Sequence, residues 1–354
     1  MITLFKKYPL LAASLNYQKL GHFPTPVSKL ENLGKELRNN NLFIKRDDLS
    51  SNLYGGNKIR KLEFIFGDVI AAGYKQVLTS GAAGSNHALA TALFGAQAGL
   101  KVILMLFEQS YNPEIKKNLL ADYLSGAQIY LDSSYEAHLL SLNRVINEQG
   151  SDNIYVIPPG GSSVSGVCGY VNATFELKEQ IKRGEIPEPK AIFVAMGTMG
   201  TAVGLMLGLK AAGLKSKLIA VQVVPSYISD YDKFMSLFES ANKFLHDKDP
   251  QFPIFKIGEE ELCLEPAFLG PGYGYITAQA ESAIELLLRT ESIKLDGVYT
   301  GKAFAAFLQE CSKNEHQSTL LFWNTKNSVA LPEPGNGFDY RNLPSPCHQY
   351  FKDD

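Results

Sequence analysis

Cysteine is scarce in this chain, and its spacing is as informative as its number. The four cysteines, Cys168, Cys263, Cys311 and Cys347, are scattered and include no C-x-x-C pair. That pattern excludes a disulfide frame and a thiolate zinc site, and it predicts reduced thiols in a cytoplasmic protein. Histidine is also sparse, with six residues and no H-x-x-x-H or H-E-x-x-H cluster, so no metal site is expected. Long apolar runs are missing. The longest, such as Lys101-Val102-Ile103-Leu104-Met105-Leu106, are strand-sized, and no membrane span is expected. Near the N-terminus the basic pair Lys6-Lys7 follows apolar residues and Pro9 breaks the apolar patch, the wrong order for an export signal. Neither sign of charge dominates: 34 basic and 36 acidic residues are interspersed, for a net charge of −2. No basic stripe is available to hold nucleic acid or an anionic membrane.

What is present is an ordinary globular composition, 45% hydrophobic and 20% charged over 354 residues, enough chain for two α/β lobes. Short β-branched runs alternate with helix-length amphipathic segments. The pattern predicts strands at 42–45, 76–79, 102–106, 128–131, 154–157, 191–195, 218–224 and 319–323. It predicts helices at 57–72, 85–98, 115–125, 135–148, 166–182, 201–212, 276–289 and 301–309. Such alternation implies parallel sheets with helices on both faces, and ligands at the carboxyl ends of the strands. The tail from 332 to 354, rich in Pro, Gly, Asn and Asp, reads as loop or extended arm.

Three glycine turns precede helices. In the first, Met196-Gly197-Thr198-Met199-Gly200-Thr201 closes an apolar strand. Its glycines expose consecutive N–H groups and the helix start favours negative charge, so it is built to cradle a phosphate. It lacks the Lys-Ser/Thr of a P-loop and the spacing of a dinucleotide fingerprint. A second turn, Ser80-Gly81-Ala82-Ala83-Gly84-Ser85-Asn86-His87, carries more side-chain donors. Ser85 is readable as an N-cap, whereas Asn86 and His87 are suited to a carboxylate or a ring oxygen. The third is Gly55-Gly56-Asn57-Lys58-Ile59-Arg60-Lys61-Leu62-Glu63. Lys58 and Lys61 share a helix face there. Most lysines are solvated, but one that follows close-approach glycines and has cationic neighbours can lose its proton and act as a nucleophile.

These residues resemble the pyridoxal-phosphate (PLP)-dependent family of D-cysteine desulfhydrase and 1-aminocyclopropane-1-carboxylate (ACC) deaminase. The likeness runs from Pro24-Thr25-Pro26 through the Lys58 and Asn86 motifs. It continues with Ile157-Pro158-Pro159-Gly160-Gly161-Ser162, the 197–204 loop, Gly272-Tyr273-Gly274 and Val298-Tyr299-Thr300-Gly301-Lys302, ending near Leu308. The resemblance implies an α/β fold of the tryptophan-synthase-β-like kind, fold type II among PLP enzymes: two open twisted α/β lobes with the cofactor between them. A large lobe of residues 1–59 plus 166–354 would receive a smaller inserted lobe, 60–165, in a homodimer. It further implies that Lys58 carries the cofactor as a Schiff base and moves the substrate proton. By the same likeness Asn86 bonds the ring oxygen, while Gly197, Thr198, Met199, Gly200 and Thr201 with Lys61 hold the phosphate. Ser85 and His87 (a position filled in the family by His or Gln), with Asn86, would hold the carboxylate of a small amino-acid substrate. Tyr273 and Tyr299 would flank the reacting carbon.

Thr300 matches the position that faces the pyridine nitrogen, where ring-opening members carry Glu and desulfhydrases carry Thr. A carboxylate favours a protonated ring and a strong electron sink; a hydroxyl does so poorly. β-Elimination demands less stabilisation than opening a ring that has no α-proton, so D-cysteine or a similar β-substituted D-amino acid is the expected substrate. Alternatives are ACC deaminase, an L-amino-acid lyase or racemase, a catalytically silent PLP-binding protein, and a sugar or nucleotide enzyme on a Rossmann-like sheet. The chain departs from the family at Ala83-Gly84 (usually Ile-Gln), at Ala88-Leu89-Ala90 where an Arg is usual, and at Asn324-Thr325-Lys326-Asn327 (usually His-Thr-Gly-Gly). Arg60 is expected in a structural ion pair. His22, His138, His246, His316 and His348 are expected at the surface or satisfied in the core.

Overall fold

The computed structural model describes residues 2–313, 318–335 and 338–351, so His316 lies outside the described residues. The chain opens with α1 (Thr3–Lys7), α2 (Pro9–Ser14), β1 (Val27–Lys29), α3 (Glu31–Glu36) and β2 (Leu42–Arg46). Next come α4 (Lys58–Ala71), β3 (Gln76–Ala82), α5 (Asn86–Gln97), β4 (Lys101–Phe107), α6 (Pro113–Leu124) and β5 (Gln128–Asp132). The middle of the chain holds α7 (Tyr135–Gln149), β6 (Tyr155–Ile157), α8 (Val164–Lys182), β7 (Ala191–Met196), α9 (Gly200–Ala212) and β8 (Lys217–Gln222). Last are α10 (Tyr231–Lys248), β9 (Cys263–Glu265), α11 (Ala278–Glu291), α12 (Thr300–Lys313) and β10 (Leu320–Asn324).

Two sheets result. Six strands run in the order β1-β2-β10-β7-β8-β9, and four in the order β5-β4-β3-β6. The four-stranded sheet is wholly parallel, as the βαβ rhythm requires. The larger sheet is mixed, because β1 pairs antiparallel with β2. That corrects the expectation of parallel sheets throughout. Both edge strands, β1 and β9, have three residues, too short for a period-two signal. Helix α10 went unrecognised in the sequence although Asp230 caps it and Phe234, Phe238, Ala241 and Leu245 bury one face. Its long charged face dilutes that stripe.

Sheet and helices pack through continuous apolar cores. Leu205, Val167, Ile192 and Val194 belong to one that joins α8, α9 and β7. A second core unites the α4 face Ile59, Leu62, Phe66 with Val77, Leu104 and Leu119 of the four-stranded lobe. The C-terminal tail joins this second core. Its last turn, Ser345–Phe351, buries Cys347, Tyr350 and Phe351 there, so the tail is docked rather than an extended arm. All four cysteines are free thiols.

The start of α4 is anchored by a buried ion cluster. Arg60 contacts Asp47 at 2.7 Å and Glu176 at 3.0 Å, and Lys45 contacts Glu176 at 2.5 Å. Asp47 also accepts hydrogen bonds from Tyr170 Oη at 2.6 Å and from Nε1 of the lone tryptophan, Trp323, at 2.7 Å. Burial alone pushes the Asp47 carboxyl up, but Arg60, Lys45 and Tyr170 outweigh it and hold it at about 2. Arg60 is thus the structural ion-pair residue that its sequence context suggests. Among the described residues, no helix is long and apolar enough to cross a membrane.

Candidate active site

A cleft of about 940 Å³ opens over the carboxyl ends of β3, β6 and β7, where α/β sheets place their ligands. Lys58, Lys61, Ser85, Asn86, His87, Gly197, Thr198, Met199, Thr201, Tyr273 and Tyr299 all line it. Of the site residues expected from sequence, Gly200 and Thr300 are the two that stand behind its wall.

Lys58 is the first residue of α4. No hydrogen bond or ion pair reaches its Nζ among the described residues. Burial lowers its pKa to about 8, and the Asp296 carboxylate partly offsets that fall. Lys61 is 2% exposed, and its only hydrogen bond among the described residues goes to the Gly160 carbonyl at 3.0 Å. Burial first, and then the charge of Lys58, push it well below the usual lysine range. Two neighbouring amines with no carboxylate paired to either among the described residues make this end of the cleft a site where an anion would hold them protonated.

The 196–201 turn supplies the matching donors. Met199 adopts φ +65°, rare for a residue with a side chain, and such strain is commonly found at ligand clamps. It turns the chain so that α9 begins at Gly200 with its first-turn amides aimed outward. A Cβ at Gly200 would lie 2.7 Å from Ser162 Oγ and 3.1 Å from Lys61 Nζ. The loop therefore needs glycine there, and it brings the Lys61 ammonium against the backbone cradle. Ser162 Oγ and Thr198 Oγ1, 2.8 Å apart, complete the wall, and Asn57 Nδ2 donates to Thr201 Oγ1 at 2.9 Å.

At the α5 start, Ser85 is the N-cap, its Oγ accepting from Ala88 N at 3.2 Å. Asn86 Oδ1 accepts from Tyr54 Oη at 3.2 Å and Asn118 Nδ2 at 3.3 Å, so neither bond occupies its amide N–H groups. His87 Nε2 meets Thr79 Oγ1 at 3.0 Å, while its buried Nδ1 has no partner. Burial, with Lys58 and Lys61 beyond it, holds this imidazole neutral.

Both unusual turns have local explanations. Gln109, from the loop after β4, accepts from Gly84 N at 3.3 Å. A Cβ on Gly84 would come within 3.3 Å of the Gln109 amide, so Gln109 lies over the position where the family carries a glutamine. Tyr350 of the tail in turn bonds Gln109 N and O, each at 3.3 Å. In the 324–327 turn no residue has positive φ. Asn327 Oδ1 instead accepts from Gly55 N at 2.7 Å and Val329 N at 2.9 Å, tying the turn to the glycines before Lys58.

Tyr273 and Tyr299 share a hydrogen bond of 2.7 Å between their hydroxyls, and burial raises both pKa values. Thr300 sits under them, 1% exposed. Its hydroxyl donates to Asp296 Oδ2 at 2.5 Å and accepts from Asp296 N at 2.9 Å. Asp296, which the sequence reading missed, lines the cleft and caps α12 by accepting from Val298 N, Tyr299 N and Thr300 N. Its sequence signal was an acidic residue four positions before a helix-opening threonine. Lys302 fastens the loop that bears Tyr273 by donating to Leu269 O at 2.7 Å. His138 is buried in the core, with Ser80 Oγ 2.6 Å from its Nε2 and Asp132 Oδ2 3.6 Å from its Nδ1, and it also lines the cleft. His246 and His348 do bond backbone carbonyls, each at 2.8 Å.

Two α/β sheets, a cleft at their strand ends, an unpaired lysine and a glycine cradle backed by a second lysine define an enzyme that holds an anionic, carbonyl-bearing cofactor. A family model described as pyridoxal-phosphate dependent enzyme matches residues 18–325, and the chain belongs to that family. Among solved structures it is similar to an ACC deaminase homologue, with 31% identity over 97% of this chain and 98% of that one and a TM-score of 0.78. It shares its fold with an L-serine ammonia-lyase from Rhizomucor miehei (18% identity, 95% and 99% coverage, TM-score 0.61). The same holds for threonine deaminase isoform 2 from Solanum lycopersicum (16%, 99% and 89%, TM-score 0.58). The fold is type II, and pyridoxal phosphate is the cofactor. The residues present suit it: a buried lysine and the first-turn amides that follow Gly200, whose own N–H bonds Ser162 Oγ, for the phosphate, and an amine without a counter-ion among the described residues for the aldehyde.

Proposed function

We propose that the chain catalyses β-elimination from D-cysteine or a similar β-substituted D-amino acid, yielding pyruvate, ammonia and sulfide with the uptake of one water. One observation carries the reading: an unpaired lysine and a hydrogen-bonded pair of phenols line the same cleft. Elimination needs a base for the α-proton and an acid for the departing thiolate. With its pKa near 8, Lys58 is neutral in a useful fraction at ordinary pH and serves as the base. Tyr273 and Tyr299, whose raised pKa values keep them protonated, deliver the proton to the leaving group.

Bound pyridoxal phosphate supplies the electron sink for breaking the α-C–H bond. Lys58 would carry it, the 197–201 backbone with Lys61 would bind the phosphate, and the Asn86 amide would serve the ring oxygen. Ser85 and His87 receive the substrate carboxylate. Thr300 sets the demand on the sink. Its proton is committed to Asp296 and it stands behind the cleft wall, so it has no proton to donate to an unprotonated ring nitrogen and brings no charge to a protonated one. The two-lobe division at 60–165 is part of this proposal, supported by a four-stranded sheet that falls inside those bounds; so is the homodimer implied by the family resemblance.

ACC deamination is the second reading, favoured by the Asp296 carboxylate beside Thr300 and by the 31% identity to an ACC deaminase homologue. The deciding experiment offers the PLP-loaded protein D-cysteine, L-cysteine and ACC. Pyruvate and sulfide from D-cysteine alone is the expected result. 2-Oxobutyrate from ACC with silence on D-cysteine would replace the proposal by the second reading.

A further inference from the structure

The same cleft holds a second polar station, at Ser80 and His138, that the elimination chemistry does not use. Along β3, side chains alternate between faces: Thr79 turns toward His87, and Ser80 toward α7. Ser80 Oγ lies 2.6 Å from His138 Nε2. On the other side of that imidazole, Nδ1 lies 3.6 Å from Asp132 Oδ2. Asp132 is held by Ser141 Oγ, which donates to its Oδ1 at 2.7 Å. His138 Nδ1 and Asp132 Oδ2 are both buried, and both Asp132 and the Leu106 carbonyl act as acceptors toward this imidazole, so the tautomer that suits them carries its proton on Nδ1. His138 Nε2 is then an acceptor, and Ser80 must donate to it. What Ser80 presents to the cleft is therefore lone pairs and no proton.

The surroundings have the same polarity. Glu136, Phe107 and Tyr135 line this end, offering a carboxylate and two aromatic rings. The cations of the cleft, Lys58, Lys61 and Lys326, stand on the first turn of α4 and on the 325–327 turn that Gly56 meets. One end thus takes anions, and the other is built of acceptors.

We propose that Ser80, held as an acceptor by His138 and Asp132, recognises an N–H or O–H donor on the substrate's β-substituent. The substrates are then β-substituted amino acids whose leaving group carries a donor. This deepens the elimination reading and rests on it for the word substrate, but its test does not need turnover. D-Glutamine and D-2-amino-5-oxohexanoate have the same shape, with an amide NH₂ in one and a methyl group in the other, and neither has a β leaving group. Calorimetric titration of the PLP-loaded protein should show D-glutamine binding at least about tenfold more tightly, the range of a buried hydrogen bond. Ser80→Ala should bring the ratio close to one, and His138→Leu, which frees the Ser80 proton, should lower it as well. Equal binding of the two ligands by the wild-type protein, or binding of neither, would overturn the inference, as would a preference that survives Ser80→Ala. Release of pyruvate from D-cysteine is scored separately and reports only on the elimination reading. If elimination holds, O-carbamoyl-D-serine should exceed O-acetyl-D-serine in kcat/KM by a similar factor, and equal values would count against Ser80.

Discussion

Lys58, Arg60 and Lys61 lie within one turn of α4, yet they face opposite electrical surroundings. Arg60 points into the scaffold, where Asp47 and Glu176 meet it at 2.7 and 3.0 Å and Tyr170 and Trp323 also donate to Asp47 Oδ2. Lys58 and Lys61 point into the cleft, where no carboxylate pairs with either among the described residues. Desolvation acts on all three. Where counter-charges are built in, the outcome is a rigid anchor. Where they are left out, the outcome is a pair of amines with lowered pKa values, ready for an aldehyde and a phosphate. A buried cation without a partner marks the site, and its fully paired neighbour holds that site in position.

Breaking each side should have different consequences. Lys58→Ala should cut turnover by about 10³-fold or more, roughly 4 kcal/mol of transition-state stabilisation, with little change in melting temperature. A kinetic assay run beside a thermal melt separates the two. Arg60→Met should do the reverse, costing about 3–5 kcal/mol of stability in urea titrations because buried Asp47 loses its ion-pair partner and Glu176 one of its two. Tyr299→Phe should reduce kcat by about 10²-fold, the usual size of a lost general acid. The smallest effect should come from Tyr350→Phe, which loosens Gln109 over Gly84. A rise in KM of about fivefold with little change in kcat would match one lost hydrogen bond.

pH should separate the two environments as well. Asp47 has a depressed pKa, so its contribution to stability is complete above the unfolded value near 4 and is lost as pH falls toward about 2. For Lys58 the window lies at the alkaline side. Below about 8 both states hold the proton and the desolvation penalty stands. Between about 8 and roughly 10.4 only the unfolded chain keeps it, so stability of the cofactor-free protein rises with pH there. Lys302 adds to the same window. Melting curves should show that rise flattened in Lys58→Ala and unchanged in Arg60→Met.

Much of this was legible in the sequence because it is carried locally. The parallel βαβ rhythm, the glycine turn at 197–200 and the Lys58 turn are each encoded within a dozen residues, and the cleft brings them together. Features that depend on distant partners were not legible. Gln109 covers Gly84 from 25 positions away, and Asn327 reaches Gly55 across 272, so both turns read as departures until their partners were seen. Thr300 was read through its hydroxyl, but Asp296, four residues earlier, receives that proton and presents the carboxylate to the cleft. His138, on α7, appeared unremarkable because Ser80 and Asp132 come from two separate strands, β3 and β5. The three-residue edge strands β1 and β9 carry too little pattern to be read at all.

The central claim is that the unpaired lysine at the start of α4 is the one that carries the cofactor. Borohydride reduction of the PLP-loaded protein, followed by peptide mass mapping, tests it most directly. The account predicts the pyridoxyl mark on Lys58, with none on Lys61 and with loss of the visible absorption band in Lys58→Ala. A mark on Lys61, Lys302 or Lys326 with Lys58 unmodified would contradict it.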